Sequence, residues 1–176
     1  MLFLRMLQYI LLLPIDFGFG MFCRIFVNWW APIFCDENGN LPNWLSWVGT
    51  FDATLDSGWK DGYDGFNPSD PKFKNRVKWL YRNTSYGFSY WVTGIKFDPK
   101  DWTIHKSVDT PTKTLFIATS SQGYFNITYH GKWGEYKLGW KAWNYWLSDQ
   151  NKWKDAPWGP EWRTQYVCSP NPFKRI

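Results

Sequence analysis

The chain opens on a long apolar stretch and then changes character. From Leu2 to Leu13 ten side chains are apolar, broken only by Arg5 and Gln8. Pro14, Asp16, Gly18 and Gly20 follow, and Met21 to Cys35 is again mostly apolar. Taken whole, the stretch is long enough to span a bilayer, which needs about 20 apolar residues. Its interruptions argue against a plain span. Pro14 removes a helical hydrogen bond, two glycines loosen the centre, and Asp16 and Arg24 are costly at mid-membrane. The pattern predicts two short helices, about 2–13 and 19–30, joined by a Pro-Ile-Asp-Phe-Gly bend and lying in the membrane interface or as a shallow re-entrant hairpin. Trp29 and Trp30 then sit at headgroup level while Arg5 and Arg24 reach toward phosphate. A single tilted span, a cleaved signal peptide and a helical hairpin buried in a soluble core are the other forms. Cleavage lacks its small-residue site, because Pro14, Asp16 and Phe17 stand where one is needed.

A sharp polar turn, Asp36-Glu-Asn-Gly-Asn40, ends the apolar leader and divides the chain into residues 1–35 and one domain, 36–176. Leu41, Trp44, Leu45 and Val48 then share one face of a short amphipathic helical turn, fit to lie on a membrane or on the domain. Gly58 to Pro71 reads as a long loop, rich in Gly, Asp, Pro and Asn. The run from Lys72 to Arg82 holds no acid. As a strand it sets Lys72, Lys74, Arg76 and Lys78 against Phe73, Val77, Trp79 and Tyr81. As a helix it groups Phe73, Val77, Leu80 and Tyr81 on one face and Lys74, Lys78 and Arg82 on another. Asp70-Pro71 as a start and Asn83 as a stop favour the helix.

Beyond Asn83 the signals turn to β. Strands are predicted over 86–95, 114–119, 124–130 and 136–146, with a short final strand over 164–168. Gly131-Lys-Trp-Gly134 is a hairpin loop, and the strand after it places Tyr136, Leu138, Trp140 and Ala142 on one face. The expected class is therefore α+β: a helical apolar amino-terminal segment followed by a small, mainly antiparallel β, aromatic-rich domain.

Composition sharpens the picture. Of 176 residues, 22% are aromatic, including 15 Trp, yet charged residues make up 20%, so the chain is not a multi-span transporter of aliphatic helices. Such an excess of rings either fills a small core or leaves some at a wet surface, whether bilayer, glycan or base stack. Trp140, Trp143 and Trp158 are the candidates for an exposed aromatic binding surface. Net charge is +5, of which the leader's Arg5, Arg24 and Asp16 supply only +1. That mild excess suits anionic lipid or phosphate better than it suits duplex nucleic acid. Lys72, Lys74, Arg76, Lys78 and Arg82 are the candidate contacts to phosphate or lipid headgroups, unless they form only a solvated face.

Little in the chain points to catalysis. His105 and His130 carry no triad or metal signature, and no phosphate-binding loop of Gly-x-x-x-x-Gly-Lys-Ser/Thr type is present. Glu135 with Glu161 would be the carboxylate pair for glycan cleavage. Asp52, Asp56, Asp61, Asp64 and Asp70 invite a calcium reading but lack the alternating loop pattern, and turn or cap roles account for them better. Cys23, Cys35 and Cys168 make no disulfide framework and are read as free thiols, with a Cys23–Cys35 bridge the other option. No cofactor, metal or catalytic residue is assigned.

The order of Leu-Leu-Leu-Pro (11–14), Asn-Leu-Pro-Asn-Trp-Leu (40–45), Arg-Val-Lys-Trp-Leu-Tyr-Arg-Asn-Thr-Ser-Tyr-Gly-Phe (76–88) and Leu-Gly-Trp-Lys (138–141) resembles a family of small uncharacterised proteins of tailed bacteriophages and prophages. The 79–88 block is its most specific element. Thr84 departs from it, standing where proline is common after Arg-Asn. The resemblance implies a phage source and no known catalytic residues. Together these readings predict a non-enzymatic, phage-encoded accessory protein docked on the host inner membrane and acting through protein contacts, in interference, lysis support or assembly. Two alternatives stand beside it: a virion component whose leader packs on other subunits, and a Trp-platform module for glycan or single-stranded nucleic acid.

Overall fold

The computed structural model describes residues 1–155 and 162–176. Its first element is one continuous helix, α1 (Leu2–Phe22), which runs on as a π-helical turn over Cys23–Val27. Two short helices with a bend at 14–18 are therefore not what forms. Pro14 sits inside α1 on its exposed side. An interior proline costs about 3 kcal/mol. Here the helix is packed both before and after it, so the chain continues. The π turn closes with the Asn28 N–H donating to the Cys23 carbonyl at 2.8 Å.

Contacts gather the chain into two compact units, Met1–Leu13 with Thr93–Ile176, and Pro14–Val92. The divisions fall within α1 and after α4, and none falls at Cys35/Asp36. The apolar leader is thus no separate piece, because its side chains belong to two different cores.

The unit Pro14–Val92 holds the second half of α1, then α2 (Ser57–Lys60), α3 (Lys72–Arg82) and α4 (Tyr86–Trp91), with single turns of 3-10 helix at Ala31–Phe34 and Asn43–Leu45. Val27, Ala31, Leu45, Val48, Leu55, Trp79 and Leu80 form its core. Helix α3 forms where the sequence predicts it but buries Asn75, Trp79 and Leu80, leaving Phe73 and Tyr81 exposed. Trp79 sets that rotation by packing on Tyr63 and Phe66, with ring centroids 5.3 and 5.8 Å away.

The expected strand over 86–95 is instead α4 followed by a two-residue strand, β1 (Ile95–Lys96). Tertiary contact overrides the β-prone sequence. Ser85 turns the chain with φ 52°, and the Gly87 and Phe88 N–H groups donate to the carbonyls of Gly49 and Trp47 at 2.7 and 2.8 Å. A Cβ on Gly87 would meet the Ser46 carbonyl at 2.2 Å, so only glycine fits there.

The other unit is built on β2 (Trp102–Thr110), β3 (Lys113–Ser120), β4 (Phe125–Gly131) and β5 (Gly134–Trp140). Two-residue ribbon strands β6 (Trp146–Leu147), β7 (Lys152–Trp153) and β8 (Arg163–Thr164) precede β9 (Tyr166–Asn171). Five strands make one antiparallel sheet in the order β2-β3-β4-β5-β9, while β1 pairs with β8 and β6 with β7. β2, which is not among the strands expected from sequence, is bulged between Ile104 and Lys106, and that break interrupts its alternation.

Alternation along β3 puts Phe116 and Ala118 on one face of the sheet, where Trp146 and Trp153 lie 6.2 and 6.4 Å from the Phe116 ring. Phe125, Leu138, Trp140 and Tyr166 line the opposite face, where Tyr9 of α1 enters. Tyr9 donates to the Val167 carbonyl at 3.1 Å and its own carbonyl accepts from the Tyr166 hydroxyl at 3.0 Å. The first half of α1 is thereby fixed across one end of that face.

Candidate membrane interface

Helix geometry sorts the side chains of α1 by chemistry. At 100° per residue, Arg5, Gln8, Tyr9, Asp16, Phe19 and Cys23 fall within an arc of about 100°. All six are buried or half-buried. The polar members have partners on that side. The Arg5 guanidinium lies 4.2 Å over the Tyr124 ring and donates to Gln8 Oε1 at 2.7 Å and to the Gln122 carbonyl at 3.3 Å. Asp16 Oδ1 accepts from the Ser89 hydroxyl at 2.7 Å. Phe19 stacks on Phe88 at 3.9 Å and leans on Trp47 at 5.1 Å.

The remaining arc is exposed and apolar. Leu4, Leu7, Ile10, Leu11, Ile15 and Phe17 project outward, Phe17 at 71% and Leu11 at 62% exposure. The surface continues past the helix through Met21, Phe22, Ile25 and Phe26 to Trp29, Ile33 and Phe34. Trp44 joins it edge-on to Phe34, ring centroids 5.3 Å apart, so the predicted turn at 43–45 buries Leu45 and Val48 and shows its indole. From residue 2 to residue 34 the only charged side chain on this exposed surface is Arg24. The helix is amphipathic with its polar side against protein and its apolar side bare, the reverse of an ordinary surface helix. By length and composition, Leu2–Val27 is also sufficient to cross a membrane.

The four residues expected at headgroups divide accordingly. Arg24 is exposed, with its Nε 3.3 Å from Thr84 Oγ1, and Trp29 is 57% exposed. Trp30 is half-buried and donates its indole N–H to the Phe26 carbonyl. Arg5 does not reach outward, since its partners lie on the packed side.

The basic run proves to be mostly paired. Arg76 turns inward and grips Asp56 through Nε–Oδ1 at 2.6 Å and Nη2–Oδ2 at 3.2 Å, with side-chain exposures of 11% and 1%. Lys74 and Lys78 each meet Asp70 at 3.0 Å. Arg82 lies 4.9 Å over the Tyr63 ring, and Lys72 is exposed at the start of α3. A phosphate face of five cations therefore does not assemble, and Asp70, two residues before Lys72, serves as an ion-pair partner.

The proposed ring platform also dissolves. Trp140 is fully buried, its indole N–H donating to the Thr93 carbonyl at 3.1 Å, with Tyr9, Tyr124, Phe125 and Tyr166 around it. Trp143 is half-buried beside the same core, its backbone N–H held by Asn126 Oδ1 at 2.9 Å. Trp158 and Glu161 lie outside the described residues.

Of the residues considered for chemistry, His105 Nε2 lies 2.7 Å from Thr119 Oγ1, and Glu135 pairs with Lys137 and Lys174 at 3.0 Å. Cys23, Cys35 and Cys168 are free thiols. Among the described residues no three His, Cys, Asp or Glu side chains gather as metal ligands.

No curated protein and no solved structure matches this sequence. A family model does match along residues 1–176, and the chain belongs to that family, a family of unknown function (DUF7338).

Proposed function

We propose that the protein is a non-enzymatic membrane-surface protein whose α1 and following turns lie in the plane of the bilayer interface. The observation that carries this reading is the sorted helix: every exposed side chain of α1 is apolar or glycine, while Arg5, Gln8 and Asp16 all turn to the protein. The fourteen large side chains named on this surface, each roughly half-exposed, would contribute on the order of 1 kcal/mol apiece on entering the acyl boundary.

Spanning is disfavoured by the same geometry. It would carry Arg5 and Asp16 into hydrocarbon at roughly 2.5–3.5 kcal/mol each on insertion scales. It would also pull Tyr9 from its core, a loss of about 3–5 kcal/mol. An in-plane seat costs neither. Following the sequence resemblance, we take the membrane to be the inner membrane of a phage host and the task to be accessory, with the folded chain held at the bilayer to meet other proteins.

Depth measurement tests the seat. Single cysteines at Ile10, Phe17 and Ile25, in a chain with Cys35→Ala and Cys168→Ser, carry a depth-sensitive nitroxide in lipid vesicles. Three similar shallow depths are expected. A progression of depth from residue 10 to residue 25 would establish a span instead, and three water-exposed labels would remove the membrane from the account.

A further inference from the structure

A second exposed aromatic feature lies at the other end of the sheet face that α1 covers. Strands β4 and β5 are joined by Lys132 and Trp133 alone, between the paired Gly131 and Gly134. Trp133 is 67% exposed, yet its peptide is fixed on both sides. Its N–H donates to the Tyr129 hydroxyl at 3.4 Å, and its carbonyl accepts from the Tyr136 hydroxyl at 3.0 Å. The turn after β9 packs on this hairpin so closely that a Cβ on Gly134 would meet the Asn171 carbonyl at 2.5 Å. That turn holds Phe173 out at 87% exposure, with Asn171 Oδ1 accepting from the Phe173 and Lys174 N–H groups at 3.1 Å.

The hairpin and the turn also carry cations. Lys132 Nζ sits 5.0 Å over the Trp133 ring, and Lys137, Lys174 and Arg175 lie in the same strands and turn. The one carboxylate side chain among them, Glu135, is already shared by Lys137 and Lys174. The tip therefore shows rings and net positive charge together, which complements an anionic surface and would repel a cationic one.

Orientation follows from the pleat. Tyr129 and Tyr136 are cross-strand partners on the face that carries Phe125, Leu138 and Trp140, the face on which Tyr9 rests. The outward side of the first half of α1 and the tyrosines that stake the tip hence look the same way. Between them, over about 20 Å of strand, the face shows half-buried Leu115, Ile117, Ile127 and Leu138.

We infer that the Lys132-Trp133 hairpin and the Phe173 turn form a second membrane contact, with the rings entering the headgroup layer and Lys132 and Arg175 binding anionic lipid phosphate. This rests on the in-plane reading of α1 and adds lipid selectivity to it. Lys132 occupies a face of the Trp133 ring, which leaves an edge for insertion and disfavours stacking of a nucleic-acid base.

The test is flotation of the full chain with vesicles of phosphatidylcholine alone or with roughly a third phosphatidylglycerol. Each cation at an anionic surface is worth about fivefold in affinity. Lys132→Gln with Arg175→Gln should thus lower binding to the anionic vesicles about 25-fold and leave neutral vesicles unaffected. Trp133→Ala with Phe173→Ala should weaken binding to both, and Trp133→Phe should restore most of it. If wild type binds both vesicles and every tip variant matches it, the second contact is wrong while the helix seat stands. If wild type binds neither vesicle, the helix reading falls and the tip falls with it. Capture of a single-stranded oligonucleotide that depends on Trp133, without any effect on flotation, would overturn the lipid assignment.

Discussion

Replacing Asp56 by alanine should be among the most damaging single changes available in the unit Pro14–Val92. The carboxylate is 1% exposed and bidentate with Arg76, and Lys60 approaches it at 3.2 Å. Arg76 in turn donates to Cys35 Sγ at 2.8 Å and to the Asp36 and Glu37 carbonyls at 3.4 Å, so the pair ties α3 to the turn at 36–40. The turn is pressed onto the carboxylate, since a Cβ on Gly39 would lie 2.7 Å from Asp56 Cγ. Unit charges about 4 Å apart attract by roughly 4 kcal/mol at an effective dielectric of 20. Removing one partner leaves the guanidinium buried and unpaired, with an expected loss of about 3–5 kcal/mol. For a chain of this size that is a fall in Tm of roughly 6–20 °C.

The pH dependence gives a second readout. Burial pushes the Asp56 carboxyl up, but hydrogen bonds from Arg76 and Lys60 outweigh it and hold the group below its usual value. A carboxylate depressed in the folded state stabilises above its unfolded pKa, near ~3.9, and that contribution fades as pH falls through the lower folded value. Wild type should therefore lose stability steeply below about pH 4, and Asp56→Asn should flatten that limb. Urea unfolding followed by circular dichroism measures both effects. Asp56→Leu with Arg76→Met should recover much of the loss, because an apolar pair leaves no stranded charge. A loss under about 1 kcal/mol for Asp56→Ala, or a double variant as weak as the single, would refute the argument.

Three further outcomes are expected from the same unfolding assay. Gly87→Ala should destabilise by about 2–4 kcal/mol despite alanine's better helix propensity, since its methyl group has no room at the Ser46 carbonyl; an unchanged midpoint would contradict the close approach. Tyr9→Phe should cost about 1 kcal/mol through the hydrogen bond to Val167, and a neutral result would mean that bond contributes nothing. Trp140→Ala should cost about 3–5 kcal/mol, whereas a near-neutral result would return that ring to the surface.

Much of the fold was legible because its signals are local. The hairpin at 131–134 and the helix at 72–82 follow from glycine placement, alternation and turn residues, and they form where those signals lie. What failed needed contacts distant in sequence. The 86–95 segment has a strand's composition and becomes helix because Gly87 docks on 46–49. Arg76 shares a basic run with four neighbours, and nothing within that run marks it as the partner of a carboxylate 20 residues earlier.

The candidate interface was only half readable. In the sequence Arg5, Gln8 and Asp16 interrupt an apolar stretch, and with Pro14 they imitate a bend. Their phase at 3.6 residues per turn, in register with Tyr9, Phe19 and Cys23, was the signal that one continuous helix was turning its polar side to protein. The aromatic-rich 79–88 block turns out to hold the fold together. It contributes Trp79 and Leu80 to the core, Asn83 to the end of α3, Gly87 to the close approach and Phe88 to the stack on Phe19.

Fractionation of cells that express wild type beside Leu11→Glu/Phe17→Glu/Phe26→Glu shows whether the outward face of α1 seats the protein on a membrane. The three positions are exposed, so the variant keeps its packed side intact. Wild type should pellet with membranes and resist salt and carbonate washes, while the variant should be folded and soluble. Wild type in the soluble fraction, or a variant that still pellets through both washes, would contradict that seat.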